Sequence, residues 1–445
     1  MTDLSEPQQD PLIQPILEPF QRFIRAQPTS GILLLVVTIV AMVWANSPWA
    51  ESYETFWNTP VSIVVGSLAL TETLRGWIND GLMTMFFFVI GLEIKRELLV
   101  GELASFRQAA LPLLGAFGGA VLPAILYVCI NTNEPPMSGW GIPMATDIAF
   151  ALGILALVGT CVPVGLKVFL TALAIADDLL AILVIVAYYT STISLMYLSF
   201  SGVCLILLVS ANMLGIRHLL VYSVVGIGGL WLTLLLSGIH ATIAGVIAAM
   251  TIPARTRLTG RTFLAKGLSL LQRFDEVSSP DTPPLANQKR YQIAESIKSA
   301  ATDTVTPLQR MEDALHPWTT IVIMPLFALA NTGVTLDADA AAMLVNPVAV
   351  GVIIGLLVGK PVGIVVSCWV AVRGGLATLP EGVSWSYLWA SGLLAGIGFT
   401  MSLFIAGLAF PHGSLLTTAK IGILVASTMA GTIGWWMLKC AGARR

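Results

Sequence analysis

The sequence predicts an all-α polytopic membrane protein with about twelve transmembrane helices, and three observations carry that prediction. Of 445 residues, 56% are hydrophobic and only 11% are Asp, Glu, Lys or Arg, where soluble domains are roughly a quarter charged. The apolar residues are gathered into runs of about the length a bilayer requires, repeated from residue 31 to residue 438. The basic residues between those runs fall almost wholly on one side. Too little polar surface remains to coat a soluble body of this length, which excludes a soluble enzyme, a nucleic-acid binder and a disordered chain. A formal net charge of -2 gives no overall field toward a charged partner.

In chain order, residues 1–28 form a polar, Pro-punctuated cytoplasmic tail that lacks the pattern of a cleaved signal. The apolar runs then lie near 31–45, 77–92, 109–130, 141–160, 164–189 and 195–215. The second six lie near 218–236, 238–252, 318–333, 346–372, 385–410 and 417–438. An even count puts both termini on one side. Arg22 and Arg25 precede the first run; Lys95, Arg96 and Arg107 follow the second, Lys167 the fourth and Arg217 the sixth. Arg255 to Arg310 follow the eighth, Arg373 the tenth, and Lys439, Arg444 and Arg445 close the twelfth. Of 23 Lys and Arg, only Arg75, Lys360 and Lys420 stand elsewhere, and the positive-inside rule makes the common side cytoplasmic. The opposite loops carry Glu51, Glu54, Glu72, Glu134, Asp337 and Asp339.

Residues 29–445 therefore read as one membrane domain, interrupted by a long cytoplasmic loop at about 253–307. Ser278-Ser279-Pro280 and Pro283-Pro284 mark that loop as a flexible linker, although Gln288 to Ala301 could form a helix with Ile293 and Ile297 on one face. Ser47–Thr59 reads as extracytoplasmic. Its rings Trp49, Tyr53 and Trp57 are either interfacial anchors or a contact for a second subunit. The five cysteines, Cys129, Cys161, Cys204, Cys368 and Cys440, are scattered with no CxxC pair, so they read as packing residues rather than disulfides or zinc ligands.

Four charges cannot be moved to the end of a run: Asp147, Asp177, Asp178 and Lys360. Each costs on the order of 2.5–3.5 kcal/mol at a helix centre. An ion pair between two helices would account for Lys360 and one aspartate. It would not account for both Asp177 and Asp178, because one lysine cannot neutralise two adjacent carboxylates. Neighbours on a helix point about 100° apart, so one can face a partner helix and the other a water-filled cavity. Carboxylate oxygens suit a hard cation such as Na+, and the same oxygens take a proton. Competition between the two for one site is the core of an exchanger.

Asp147 lies in GWGIPMATDIAFALGIL, just after Gly139, Gly141 and Pro143, which predicts a helix broken at depth. Half-helix ends carry partial charges. Asp147 can supply the negative compensation and Lys360 the positive, with the Thr146 hydroxyl beside the site. SGLLAGIGFTMSLFIAG, with Gly392, Gly396 and Gly398, predicts a second break. Two interrupted spans in different halves point to an inverted-repeat transporter. His240, in SGIHATIAG, is either a hydrogen-bonded structural histidine or a proton carrier. An intramembrane aspartyl protease fits poorly, since its two aspartates must face each other from separate helices. A carrier of a large organic solute lacks a handle in a site made of carboxylates.

The runs GLEIKREL, ATDIAFALGILALVG, FLTALAIADDLLAILVI, SGIHATIAGV, LHPW, LLVGKPVGI and GIGFTMSLFI, in this order from about residue 75 to 440, resemble the NhaA-type bacterial sodium/proton antiporter family. The resemblance implies an inverted-repeat antiporter fold with two crossed discontinuous helices, in a bacterial inner membrane, with both termini cytoplasmic. It implies electrogenic, pH-regulated exchange of intracellular Na+ or Li+ for external H+, serving Na+ and pH homeostasis. No cofactor, enzymatic activity or nucleic-acid partner is implied; the partners are the ions, membrane lipid and a second copy. The homodimer would be joined partly by an extracytoplasmic β-hairpin, placed at Ser47–Thr59. By motif, Asp177 and Asp178 would bind the cation, with Asp147 and Thr146 nearby. Lys360 would pair with Asp177 in the proton-loaded state. The second broken helix would include Gly396, Gly398 and Phe399. A cytoplasmic pH-sensing cluster would comprise Glu93, Arg96, Glu97, Glu312 and His316. The sequence departs from the family in having Asp313 where members often have a second histidine, and in the length of the loop before it.

Overall fold

A computed structural model describes residues 27–66, 68–159, 162–190, 193–277, 288–335, 340–411 and 413–442. The expectations for the tail with Arg22 and Arg25, for Cys161, for Ser278 to Pro284, for Asp337 and Asp339 and for Arg444 and Arg445 lie outside the described residues.

Among these residues the chain is helical apart from one two-stranded antiparallel sheet. α1 (Gln27–Ala45) meets a short α2 (Ala50–Trp57) at 112°. Strands β1 (Pro60–Val65) and β2 (Leu68–Thr73) follow. The helices α3 (Leu74–Val100) and α4 (Phe106–Ile130) lead to a nine-residue 3-10 helix, Pro136–Met144. After it come α5 (Ile148–Val158), α6 (Val164–Tyr188), α7 (Leu195–Met213), α8 (Leu220–Ser237) and the short α9 (Thr242–Thr251). α10 (Gly260–Val277) and α11 (Gln288–Thr302) precede α12 (Pro307–Asn331). The chain ends with α13 (Ala340–Val345), α14 (Pro347–Arg373), α15 (Trp385–Ala395), α16 (Phe399–Ala409) and α17 (Ser414–Gly442). Nine described spans, counting Pro136–Val158 as one, are long and apolar enough to cross a membrane. Together with α1, the short α9 and the bent pair α15–α16 they occupy the twelve positions expected from the hydropathy pattern.

Small residues set the closest helix crossings. α4 packs on α14 where Gly118 meets Gly363: a Cβ on Gly363 would stand 2.1 Å from the Gly118 carbonyl oxygen. α3 packs on α9 in the same way, with the Gly245 Cβ position 2.3 Å from the Thr84 carbonyl oxygen. Within lipid there is no hydrophobic drive between helices, so close backbone approach supplies the dispersion contacts that hold them. The buried apolar residues form a large cluster and a smaller one, the latter built from α7, α8, α9 and the facing parts of α3 and α12.

Two groups of three consecutive spans, 106–188 and 347–442, each carry a broken helix in the middle. Corresponding members stand seven spans apart. Since the direction of the chain alternates, an odd separation makes the two groups run oppositely through the membrane, which brings the two breaks together head on.

Two sequence expectations are corrected. The β-hairpin lies at Pro60–Thr73, not at Ser47–Thr59. Residues 50–57 contain no β-branched pair and bury Tyr53 and Trp57 four residues apart on one helical face, whereas VSIVV and LALTET alternate as strands about a turn where Gly66 has φ 62. The segment 253–307 is no mere flexible linker. It contains α10 and α11 packed on each other, because Phe263, Gly267, Leu270 and Phe274 recur at helical spacing along one side of α10.

Candidate ion-exchange site

The first break spans Ala145, Thr146 and Asp147, which leave the helical conformation between Met144 and Ile148. The second spans Gly396 to Gly398, where α15 and α16 meet at 45°. Four helix ends converge here, two rich in free carbonyls and two in free amides. Each such end carries about half an elementary charge of the corresponding sign.

The backbone accounting of these ends shows which residues are needed. On the carbonyl side, the Thr146 hydroxyl donates to the Ala395 oxygen at 2.8 Å and the Asp147 amide donates to the Ile397 oxygen at 2.7 Å. The Ser402 hydroxyl donates to the Ile142 oxygen at 2.8 Å, and the Lys360 ammonium donates to the Met144 oxygen. On the amide side, Asp147 caps two helices at once. Its Oδ1 accepts from the Phe150 amide at 3.0 Å, and its Oδ2 accepts from the Thr400 amide at 3.1 Å and the Thr400 hydroxyl at 2.5 Å. The Phe399 amide donates to the Ser427 hydroxyl at 3.2 Å. Asp147 and Lys360 thus stand at the negative and positive compensating positions of the crossed breaks.

The remaining carboxylates are on α6, and helical geometry separates them. Asp177 turns toward α14 and accepts a hydrogen bond from Lys360 at 2.7 Å. Asp178, one residue on, lines a cavity of about 340 Å³ that also borders Asp147. Relative exposure is 0% for Asp147, 2% for Asp177 and 1% for both Asp178 and Lys360, so none of these charges is solvated as a surface group would be. The Oδ1 atoms of Asp177 and Asp178 are both buried without a hydrogen-bond partner among the described residues. Buried oxygens in that state are costly. A proton or a bound cation relieves the cost, and Asp178 faces a space large enough to admit one.

The cavity leads from Asp178 and Asp147 to Glu93, Asp313 and His316. Beside it, the Arg96 guanidinium forms ion pairs with Glu312 and, at 3.3 Å, with Glu97. The five residues of the expected cytoplasmic cluster therefore divide into two neighbouring sets: Arg96, Glu97 and Glu312 form a knot of ion pairs, and Glu93 and His316 form cavity wall. Gly396 and Gly398 lie in the second break, and Phe399 opens α16 with its ring 5.5 Å from that of Phe150. His240 lies apart from the carboxylates, at 3.3 Å from the Thr242 hydroxyl and with its ring 5.7 Å from that of Phe404.

Thr400, Ser402 and Ser427 join the site only in the folded structure. The first two stand within GIGFTMS just after the second break, where hydroxyl residues suit helix caps, and that signal was available. Ser427 gives none, since a lone serine in an apolar span commonly bonds its own backbone. From the sequence Lys95 is an orienting charge. Its ammonium also donates to the Met250 and Ile252 oxygens at 2.6 and 2.5 Å, closing the carbonyl end of α9.

Oppositely running broken helices, neutralised at their crossing by one aspartate and one lysine and flanked by a carboxylate on a cavity, define an ion-coupled secondary transporter of a multi-pass membrane type. The sequence model of the family described as Na+/H+ antiporter 1 matches residues 21–438, and the chain belongs to that family. It is 48% identical over 427 residues to the Na(+)/H(+) antiporter NhaA of Oleidesulfovibrio alaskensis, covering 96% of this chain and 95% of the relative. It is 46% identical over 424 residues to the NhaA of Koribacter versatilis, covering 95% and 91%. With NhaA 2 of Syntrophotalea carbinolica it shares 46% identity over 430 residues, covering 96% and 98%.

Proposed function

We propose that this chain exchanges Na+ for H+ at the Asp177–Asp178 pair. Na+/H+ antiport follows from membership of the family; the roles of individual residues are our reading. The observation that carries it is Asp178, buried, partnerless at Oδ1 and facing the cavity, one residue from an aspartate held by Lys360.

From the cavity, a cation reaches Asp178, takes the place of the proton on its carboxyl group and draws Asp177 into its oxygen shell. Asp177 then leaves Lys360, and an ammonium stripped of its counter-charge in a buried site gives up a proton. The crossed breaks carry the site to the other side as one packed cluster of helices rocks against the other. The cation departs, one proton re-enters on Asp178 and one on Lys360, and the Lys360–Asp177 pair re-forms. Two protons for one Na+ make the cycle electrogenic. Li+ shares the oxygen preference of Na+. The cavity wall of Glu93 and His316, with the Arg96–Glu97–Glu312 knot beside it, is where pH acts on access. Asp147 and Thr146 hold the crossing. The chain works as a transporter without cofactor or enzymatic chemistry, in a bacterial inner membrane, with both termini cytoplasmic. It works as a homodimer in which β1–β2 contributes to the contact.

Everted membrane vesicles carrying a ΔpH dye test this directly. The native chain should dequench the dye on addition of Na+ or Li+, and the purified protein should release protons when Na+ is added. Asp178→Asn should abolish both. Proton release at native amplitude from Asp178→Asn would remove Asp178 from the site.

A second reading of Lys360 rests on its hydrogen bond to the Met144 carbonyl. In that reading its charge only balances a helix end and carries no proton.

A further inference from the structure

The α10–α11 hairpin plays no part in the exchange site, yet it carries an unusual surface. The apolar side chains of α10 cover a wide arc of the helix. One half of that arc, Phe263, Leu270, Phe274 and Val277, is partly buried on the side where α10 packs against α11. The other half is bare: Leu264, Leu268 and Leu271 are 64%, 55% and 56% exposed. Their spacing of four and three residues puts all three on one stripe. A stripe of this kind on a soluble face is a site that something covers.

Two observations say what covers it. The first is position. Backbone hydrogen bonds fasten the base of the hairpin to the ends of two membrane spans: Leu308 donates to the Pro253 oxygen at 3.3 Å, and Arg257 and Leu258 donate to the Asp303 oxygen at 3.0 and 3.1 Å. Pro253 stands two residues past the end of α9, and Leu308 belongs to the first turn of α12. With a rise of about 1.5 Å per residue, the leucine stripe lies within about 20 Å of that base, so a helix lying flat would rest on the lipid beside the spans. The second is charge. Between residues 255 and 303 there are eight Lys and Arg against five Asp and Glu. Arg261 stands beside the stripe, and Lys266 and Arg273 stand on the opposite, polar face of α10. Apolar stripe, basic surround and membrane-level tether together match the inner surface of an anionic bilayer.

We infer that α10 lies on the cytoplasmic face of the membrane, with Leu264, Leu268 and Leu271 set among acyl chains and the basic side chains of the hairpin on anionic headgroups. The hairpin continues through Asp303–Thr306 into α12, which carries Glu312, Asp313 and His316 at the cavity. Lipid contact therefore holds the helix that forms one wall of the cytoplasmic entrance.

Hydrogen exchange of the full chain, one copy per lipid nanodisc, tests the inference. Amides of residues 261–277 should exchange about tenfold or more slowly in discs rich in anionic lipid than in purely zwitterionic discs, an effect that two basic side chains near an anionic surface are enough to supply. High salt should reduce the difference. The variant Leu264→Gln, Leu268→Gln, Leu271→Gln should lose the protection while retaining Na+/H+ exchange. Equal exchange rates of the native chain in the two lipid mixtures would overturn the inference. So would protection that arises only when two copies share a disc, which would assign the stripe to a second chain, or only on addition of a soluble protein.

Discussion

At the residue scale, the site is a problem of unpaired charge solved with very few groups. Asp147 satisfies amides of two helices through its two oxygens, and Lys360 serves an aspartate and a carbonyl at once. Removing one member of such a pair leaves the other buried and alone, which costs about 3–5 kcal/mol. Lys360→Ala should therefore lower the thermal midpoint of the purified protein markedly, and adding Asp177→Asn should recover most of the loss. A double variant that loses stability additively would show that the two groups are not coupled. The same lysine variant separates the two readings of Lys360: if it carries a proton, exchange in proteoliposomes should no longer respond to membrane voltage. The charges themselves were legible in the sequence, because a charge within an apolar run has nowhere else to go. Thr400 and Ser427 were harder to read, because a hydroxyl in a membrane helix is ordinary until the three-dimensional path of a broken helix gives it a partner.

At the element scale, glycine decides how closely helices cross. The Gly118–Gly363 contact leaves no room for a side chain, since the obstructing atom is a backbone oxygen that cannot rotate away. Gly363→Val should push α14 off α4 and cost about 1–3 kcal/mol from overpacking, read as a lower thermal midpoint in detergent. Gly202 is a control, as nothing lies within 4 Å of its Cβ position. A Gly363→Val midpoint equal to that of Gly202→Val would contradict the packing argument. Hydropathy located the spans to within a few residues at most ends. It stopped at 92 where α3 continues to Val100, and began at 318 where α12 starts at Pro307, because helices outlast the apolar run once they leave the bilayer. The family resemblance put the hairpin at Ser47–Thr59, since aromatic residues there fit a strand as well as an interface helix, and the packing of Tyr53 and Trp57 on one helical face distinguishes them.

At the scale of the whole molecule, the seven-span offset between the two groups of three makes the breaks approach from opposite sides, and the cavity reaches the crossing from the end where Arg96, Glu97 and Glu312 stand. The hairpin lies far from that crossing in sequence and offers Val61, Ile63 and Val64 as exposed apolar side chains. A two-stranded ribbon with such a surface is rarely stable by itself. Ile63→Asp with Val64→Asp should convert dimers to monomers in detergent, measured as mass by light scattering. An unchanged dimer mass would place the contact elsewhere.

The sequence by itself determined the class of the protein, the order of its spans and the four charges that stand within apolar runs. These follow from transfer free energies and charge asymmetry, which act locally along the chain. The tertiary structure alone decided which carboxylate lines the cavity, how one carboxylate caps two helices, and that the long segment at about 253–307 carries a packed helix pair with a bare leucine stripe. Those outcomes depend on where distant segments cross, and crossing is set by packing between residues hundreds of positions apart.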